Sequence, residues 1–181
     1  LGVKQYDLDR GGNMEDGKKN DSDSKNVSIS QNGGLIEVKH PALKGKPITS
    51  FKLSVRGSQQ MNISEVALMS DGKNIAKTAK LTQSSEYNGG QFPVQLLVDG
   101  NKENVVHTNT QQNPWMRGDF EKPIQVSQFR VWNRRGFENR FNNGKIEFFN
   151  GDDLVAAVDI EIAGGSGGDR NRRLGEVWGT P

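Results

Sequence analysis

The sequence predicts an all-β fold, a sandwich or a barrel. Three observations carry that expectation. Short apolar runs recur every 8–12 residues between Gly, Asn and Asp punctuation, the spacing of sandwich and barrel strands. Phe51, Leu53 and Val55 alternate with Lys52, Ser54 and Arg56, one face apolar and one face wet. No window sustains apolar residues at i, i+3, i+4 and i+7 over three turns, so helices should be few and short.

In chain order, residues 1–26 form a polar arm. Asp7, Asp9, Arg10, Glu15, Asp16, Lys18, Lys19, Asp21, Asp23 and Lys25 lie among Gly, Asn and Ser. Such a run buries too little apolar surface to offset the entropy of ordering it. It reads as a flexible terminus, or as an arm that orders against a neighbouring subunit. The folded domain is expected over 27–162. Val27, Ile29, Leu35, Ile36 and Val38 suggest a hairpin turning at Asn32-Gly33-Gly34. Ile63, Val66 and Leu68 lead into a turn at Asp71-Gly72. Further strands are expected at Phe92–Val98, Ile124–Trp132, Lys145–Phe149 and Leu154–Ile162. Trp115, Phe120, Phe129 and Trp132 are expected in the core, where strand aromatics usually go. Residues 163–181 begin with the linker-like Ala163-Gly164-Gly165-Ser166-Gly167-Gly168 and end in an Arg-bearing tail whose Trp178 is expected to dock on this domain or another chain.

Composition narrows function. Only 32% of the 181 residues are hydrophobic, and the mean hydropathy is −0.75, so the core takes only part of the chain. No stretch approaches the ~20 apolar residues of a membrane-spanning helix. Twenty-four basic and 22 acidic residues nearly balance at +2, which gives no electrostatic case for nucleic acid. With no Cys there is no thiolate metal site, disulfide or cysteine nucleophile, and with 2 His an all-histidine zinc site is disfavoured. No Gly-x-Ser-x-Gly, P-loop or His-Glu-x-x-His pattern is present, so no enzyme is expected. The chain starts at Leu1 without an initiator Met, as a processed or truncated piece would.

The stretch from Asp99 to Arg140 is the informative one. It holds Asp99-Gly100-Asn101, His107-Thr108, Asn113-Pro114-Trp115, Asn133-Arg134 and Arg140, preceded by Ser64-Glu65-Val66 and by Gln83-Ser84-Ser85. In order and spacing these motifs resemble the fucolectin branch of the discoidin-like, galactose-binding-like β-sandwich domains, over roughly residues 48–160. Three departures stand out. Arg135, Gly136 and Phe137 occupy the loop where the family often has adjacent cysteines. Met116 replaces the second Trp of Asn-Pro-Trp-Trp, and Gly118-Asp119-Phe120 replaces Val-Asp-Leu. The strands at 51–55 and 63–68 also precede the Asp-Gly-Asn loop, as in a permuted copy or a slice through a tandem array. Glu176-Val177 faintly repeats the Glu-Val strand.

The resemblance implies an all-β, antiparallel β-sandwich of the discoidin-like jelly-roll kind, and non-catalytic recognition of a fucose- or galactose-like glycan through His107, Arg134 and Arg140. Sugars offer vicinal hydroxyls, Arg a rigid fork of donors, and a neutral His one donor and one acceptor. Without the resemblance, His107 reads equally as a loop histidine and Arg134 as a solvated cation, and the sequence leaves open whether Arg134 or Arg135 faces the ligand. The resemblance further implies a structural Ca²⁺ held by the carboxylates of Asp99 and Glu65, with Leu96, Asn101, Asn104 and Ser64 giving mainly carbonyl oxygens. Without it, Asp99 caps a turn and Glu65 pairs with a Lys. Similar domains also serve as building blocks in minor capsid and surface proteins of large DNA viruses. A structural or assembly role is therefore the rival expectation, with self-assembly or neighbouring capsid proteins as partners. The location expected is extracellular or on a particle surface, or cytoplasmic if the chain assembles into a capsid.

Overall fold

The computed structural model describes residues 28–32 and 34–162, and these build two antiparallel sheets. The polar arm, the Gly-rich linker, Glu176-Val177 and Trp178 lie outside the described residues. One sheet has the spatial order β1 (Ser28–Asn32), β2 (Leu35–Lys39), β11 (Gln128–Asn133), β5 (Asn62–Ser70) and β6 (Lys73–Asn74), and the short β8 (Val106–His107) pairs with the start of β5. The other runs β13 (Asp153–Ile160), β12 (Gly144–Asn150), β3 (Ile48–Val55), β10 (Trp115–Ile124) and β7 (Lys80–Gln83). A two-stranded ribbon, β4 (Ser58–Gln59) with β9 (Gln111–Gln112), stands beside them. Helical structure among the described residues consists of single 3-10 turns.

The alternation seen in the sequence becomes the pleat. Along β11 the odd positions Phe129, Val131 and Asn133 are buried and the even ones half-buried, and β12 and β3 alternate over most of their length. The two sheets meet through aromatics. Phe51 of β3 lies 5.5 Å from Phe129 of β11, centroid to centroid, and Phe129 meets Phe148 of β12 edge-on at 5.3 Å. Gly118 of β10 stands opposite Phe51. A Cβ at Gly118 would lie 2.3 Å from Phe51 Cε1, so the absence of a side chain there is what admits the ring. Asp71 and Gly72 both take positive φ (46° and 76°) in the turn that closes β5 onto β6. This is the backbone shape that Asp-Gly turns favour.

Two expected strands come out differently. Val94–Val98 is a 3-10 turn rather than part of a strand. Its buried residues are Val94, Leu97 and Val98, a spacing of three and four that only a helical turn can press onto one surface. The expected strand at 124–132 divides in two: β10 ends at Ile124 in one sheet, and β11 begins at Gln128 in the other. The corner between them is tied by Ser127, whose N–H and Oγ both donate to the Met69 carbonyl, at 2.8 and 3.0 Å. The strand Trp115–Ile124 was not anticipated as a unit. Its Gly118 and its Lys122-Pro123 break the apolar alternation, and its register with β3 shifts between Asp119 and Ile124. Phe120 and Phe129 are buried as expected, whereas Trp115 and Trp132 are only half-buried. In each strand the Trp alternates with the buried positions and so falls on the outer face.

β5 places the site. Asn62 through Leu68 are buried without a break. One face of the strand packs into the core. On the other, Glu65 sits opposite Trp132, both of the parity that points away from Phe129 and Val131. That outer face would be wet in a simple sandwich, but the segment from the 3-10 turn at 94–98 through β8 covers it.

Candidate functional site

The loops at one end of the sandwich converge on the start of β5. Asn62 stands opposite His107 in the β5–β8 pairing, while its neighbour Ile63 stands opposite Asn133 of β11. Thr108 fixes the next step: its N–H donates to the Met61 carbonyl at 3.1 Å, and its Oγ1 accepts the Met61 N–H at 3.0 Å. Two loops that are 25 residues apart in sequence are thereby clamped to a single strand.

The Arg loop is held by the Asn133 and Glu138 side chains bonded to its own backbone. Asn133 Oδ1 accepts the Arg134 N–H at 2.9 Å, and Asn133 Nδ2 donates to the Glu138 carbonyl at 2.8 Å. Gly136, at φ 77°, turns the chain, and its N–H donates to Glu138 Oε1. This turn lifts Phe137 outward, so that it is 38% exposed. The guanidinium carbons of Arg134 and Arg140 lie 4.2 and 4.5 Å from the Phe137 ring centroid. Arg140 Nη1 also donates to Asn62 Oδ1. The aromatic ring thus acts as a shelf that sets both forks, and Asn62 anchors one of them.

His107 lies beneath. It is buried, with the Tyr87 ring 4.2 Å and the Phe92 ring 5.7 Å from its own. Its Nδ1 stands 2.7 Å from the Thr108 carbonyl oxygen, which can only accept, so Nδ1 carries the proton. Burial pushes its pKa below the ordinary value of 6.5; the Thr108 carbonyl opposes this, and the positive charges of Arg134 and Arg140 add to it. The imidazole is therefore neutral at physiological pH, with Nε2 as an acceptor that bonds nothing among the described residues. The structure thus gathers His107, Arg134 and Arg140 within electrostatic reach of one another. Sequence reasoning missed Tyr87, Phe92 and Asn62; only the fold brings them beside His107, although the aromatic pair flanking Asn88-Gly89-Gly90 is a signal of a shaped loop.

Next to this group is a cleft of about 360 Å³ lined by Ser64, Phe92, Leu96, Asn104 and Arg134, among others. Lys102, Glu103 and Arg135 stand at its rim. The ammonium of Lys102 lies 4.2 Å from the centroid of the Trp132 ring.

The carboxylates of Glu65 and Asp99 also meet. Glu65 is 2% exposed and accepts the Gly100 N–H at 3.1 Å. Its pKa is raised from 4.5 to about 7, mainly by burial and further by the charge and hydrogen bond of Asp99, against the lowering pull of the Gly100 N–H and Lys77. Asp99 Oδ1 accepts from the Asn101 N–H at 2.7 Å and Oδ2 from Asn104 Nδ2 at 2.6 Å, while its backbone carbonyl accepts from Lys77 Nζ at 2.9 Å. The Asn101 side chain is engaged by the Glu103 N–H at 3.0 Å. Asn104 Oδ1 is buried without a hydrogen-bond partner. Among the described residues no cluster of three or more His, Cys, Asp or Glu side chains is assembled, so any cation here would draw on two carboxylates and neutral oxygens.

A sandwich that displays its polar side chains on loops at one end has the architecture of a binding module. Residues 96–179 match the family model of the F5/F8 type C group described as "NedA-like, galactose-binding domain". The match covers 84 of the 181 residues and points to the galactose-binding-like, discoidin-type superfamily that the motifs between Asp99 and Arg140 resemble. It starts later than the resemblance read from the motifs, leaving β3 and β5 outside it, and it ends beyond the described residues, taking in Glu176-Val177. No curated protein and no solved structure matches the chain significantly. Galactose-binding-like domains are typically non-catalytic binding modules. No helix among the described residues is long and apolar enough to cross a membrane.

Proposed function

We propose that this domain is a carbohydrate-binding module of the lectin type, taking a galactose- or fucose-like residue at the end of the sandwich where His107, Arg134 and Arg140 meet. The observation that carries the reading is the pair of guanidinium groups held on one aromatic shelf beside a neutral imidazole. Arg forks donate to vicinal hydroxyl oxygens, and Nε2 of His107 accepts from a hydroxyl that donates. Phe137, 38% exposed, adds apolar surface beside the two forks for the CH face of the sugar. The domain performs no covalent step in this reading; recognition is its activity.

The same reading includes a structural Ca²⁺ under the loops. The donor set fits a hard cation: two converging carboxylates, Glu65 and Asp99, and the partnerless Asn104 Oδ1. Leu96, Asn101 and Ser64 would add oxygens from the backbone. Bound there, the ion would supply positive charge that keeps Glu65 ionised and the Asp99–Asn104 loop closed.

Isothermal titration with galactose and fucose tests the proposal. Binding is expected for the native protein and lost in Arg134→Ala and Arg140→Ala, both of which stay folded because neither side chain lies in the core. A blank titration with a correctly folded native protein would overturn it.

A further inference from the structure

We infer that the sugar-binding end carries a cationic subsite, built by Lys102 and Arg135 beside Arg134, that selects glycans bearing an anionic substituent, a carboxylate or a sulfate ester. The inference rests on the sugar-binding reading above and narrows its ligand class. Lys102, Arg134 and Arg135 all line the 360 Å³ cleft, and Arg140 shares the Phe137 ring with Arg134. None of these four cations forms an ion pair with a carboxylate among the described residues, where the ion pairs are Arg117–Asp119, Arg130–Glu37 and Lys145–Glu147.

The carboxylates nearest to hand are otherwise placed. Glu138 Oε1 accepts the Gly136 N–H. Glu103 is the one acidic residue of the cleft lining, against three cations there. The cations are also positioned without neutralisation: the Trp132 ring holds the Lys102 ammonium, and the Phe137 ring holds the Arg134 guanidinium. Aromatic faces orient a cation while leaving its hydrogen-bond donors directed elsewhere. A neutral hexose needs donors but gains little from a lining in which three cations face one carboxylate. A carboxylate or sulfate on the sugar would meet the planar fork of Arg and the point charge of Lys at once.

Galactose, galacturonate and galactose 6-sulfate are the probes, titrated into native protein and into the double variant Lys102→Gln/Arg135→Gln. Both altered side chains are exposed and neither belongs to the His107, Arg134 and Arg140 group. The native protein is expected to bind at least one acidic sugar about 10-fold more tightly than galactose, with the gap shrinking between about 20 and about 300 mM NaCl as screening sets in. The double variant should keep galactose binding and lose the preference. Preference for galacturonate alone or for the sulfate alone identifies which anion the subsite takes. Equal affinity for neutral and acidic sugars overturns the subsite and leaves the sugar site standing. A preference that persists in the double variant overturns its placement. Failure of all three sugars to bind native protein overturns the sugar site, and the subsite with it.

Discussion

Replacing Glu65 by Gln should change how stability responds to pH, in a direction set by burial. In the folded chain the Glu65 carboxyl titrates at about 7 instead of 4.5. A raised acid favours the fold while protonated, and that advantage is lost as pH climbs from about 4.5 through about 7. The difference corresponds to about 3 kcal/mol between pH 4 and pH 8, or roughly 10 °C in Tm for a domain of this size. Glu65→Gln keeps the shape and an oxygen for the Gly100 N–H, and its amide can donate to Asp99. It removes the buried charge. In EGTA, variant and native protein should therefore have similar stability at low pH, and the variant should be the more stable at pH 8. Thermal unfolding followed by circular dichroism at both pH values reads this directly. Adding millimolar Ca²⁺ at pH 8 should raise the native Tm and leave the variant nearly unmoved, because an ion bound only by the native state stabilises it. If the Tm difference between the two proteins stays constant across pH in EGTA, the account of Glu65 as a strained buried acid is wrong. If Ca²⁺ shifts neither protein, the metal is withdrawn and the strain remains.

Two further outcomes follow from packing. Gly118→Ala should lower stability by about 3 kcal/mol, since the new methyl overlaps the Phe51 ring between the sheets; an unchanged urea midpoint would contradict the tight approach. Phe137→Ala should cost about 1 kcal/mol or less in stability, because the ring is 38% exposed and packs on surface Arg side chains outside the core, yet weaken galactose binding several-fold by freeing both guanidinium groups, an outcome that calorimetry and a thermal melt separate.

The sandwich was legible because its signal is local. The alternation in Phe51–Val55 and the turn at Asp71-Gly72 each fit within a few residues, and the structure places both where the pattern puts them. β10 was missed because its Gly118 and Pro123 serve distant partners: one makes room for Phe51, and the other sits at a register shift. The turn at 94–98 read as a strand because five apolar-rich residues look alike in either state until one knows that a single buried strand lies on one side only. The candidate site was legible as residue types in order, His107, Arg134 and Arg140. Its second layer was not, because Tyr87, Phe92 and Asn62 come from separate parts of the chain and meet only in three dimensions. The rival assembly expectation draws on the polar arm 1–26 and the Gly-rich tail 163–181, outside the described residues, and on Arg135-Gly136-Phe137 standing where the resembled family often has adjacent cysteines.

Asn62 gives the site an unusual dependency. The loop bearing His107 is paired to it, and the loop bearing Arg140 is hydrogen-bonded to it. A residue that touches no solvent thus serves as a common datum for two surface loops. Nascent chains that have docked the C-terminal strands but not β5 would hold every recognition side chain and still lack their mutual spacing. Ligand capture by this domain would then report that the whole sandwich has closed.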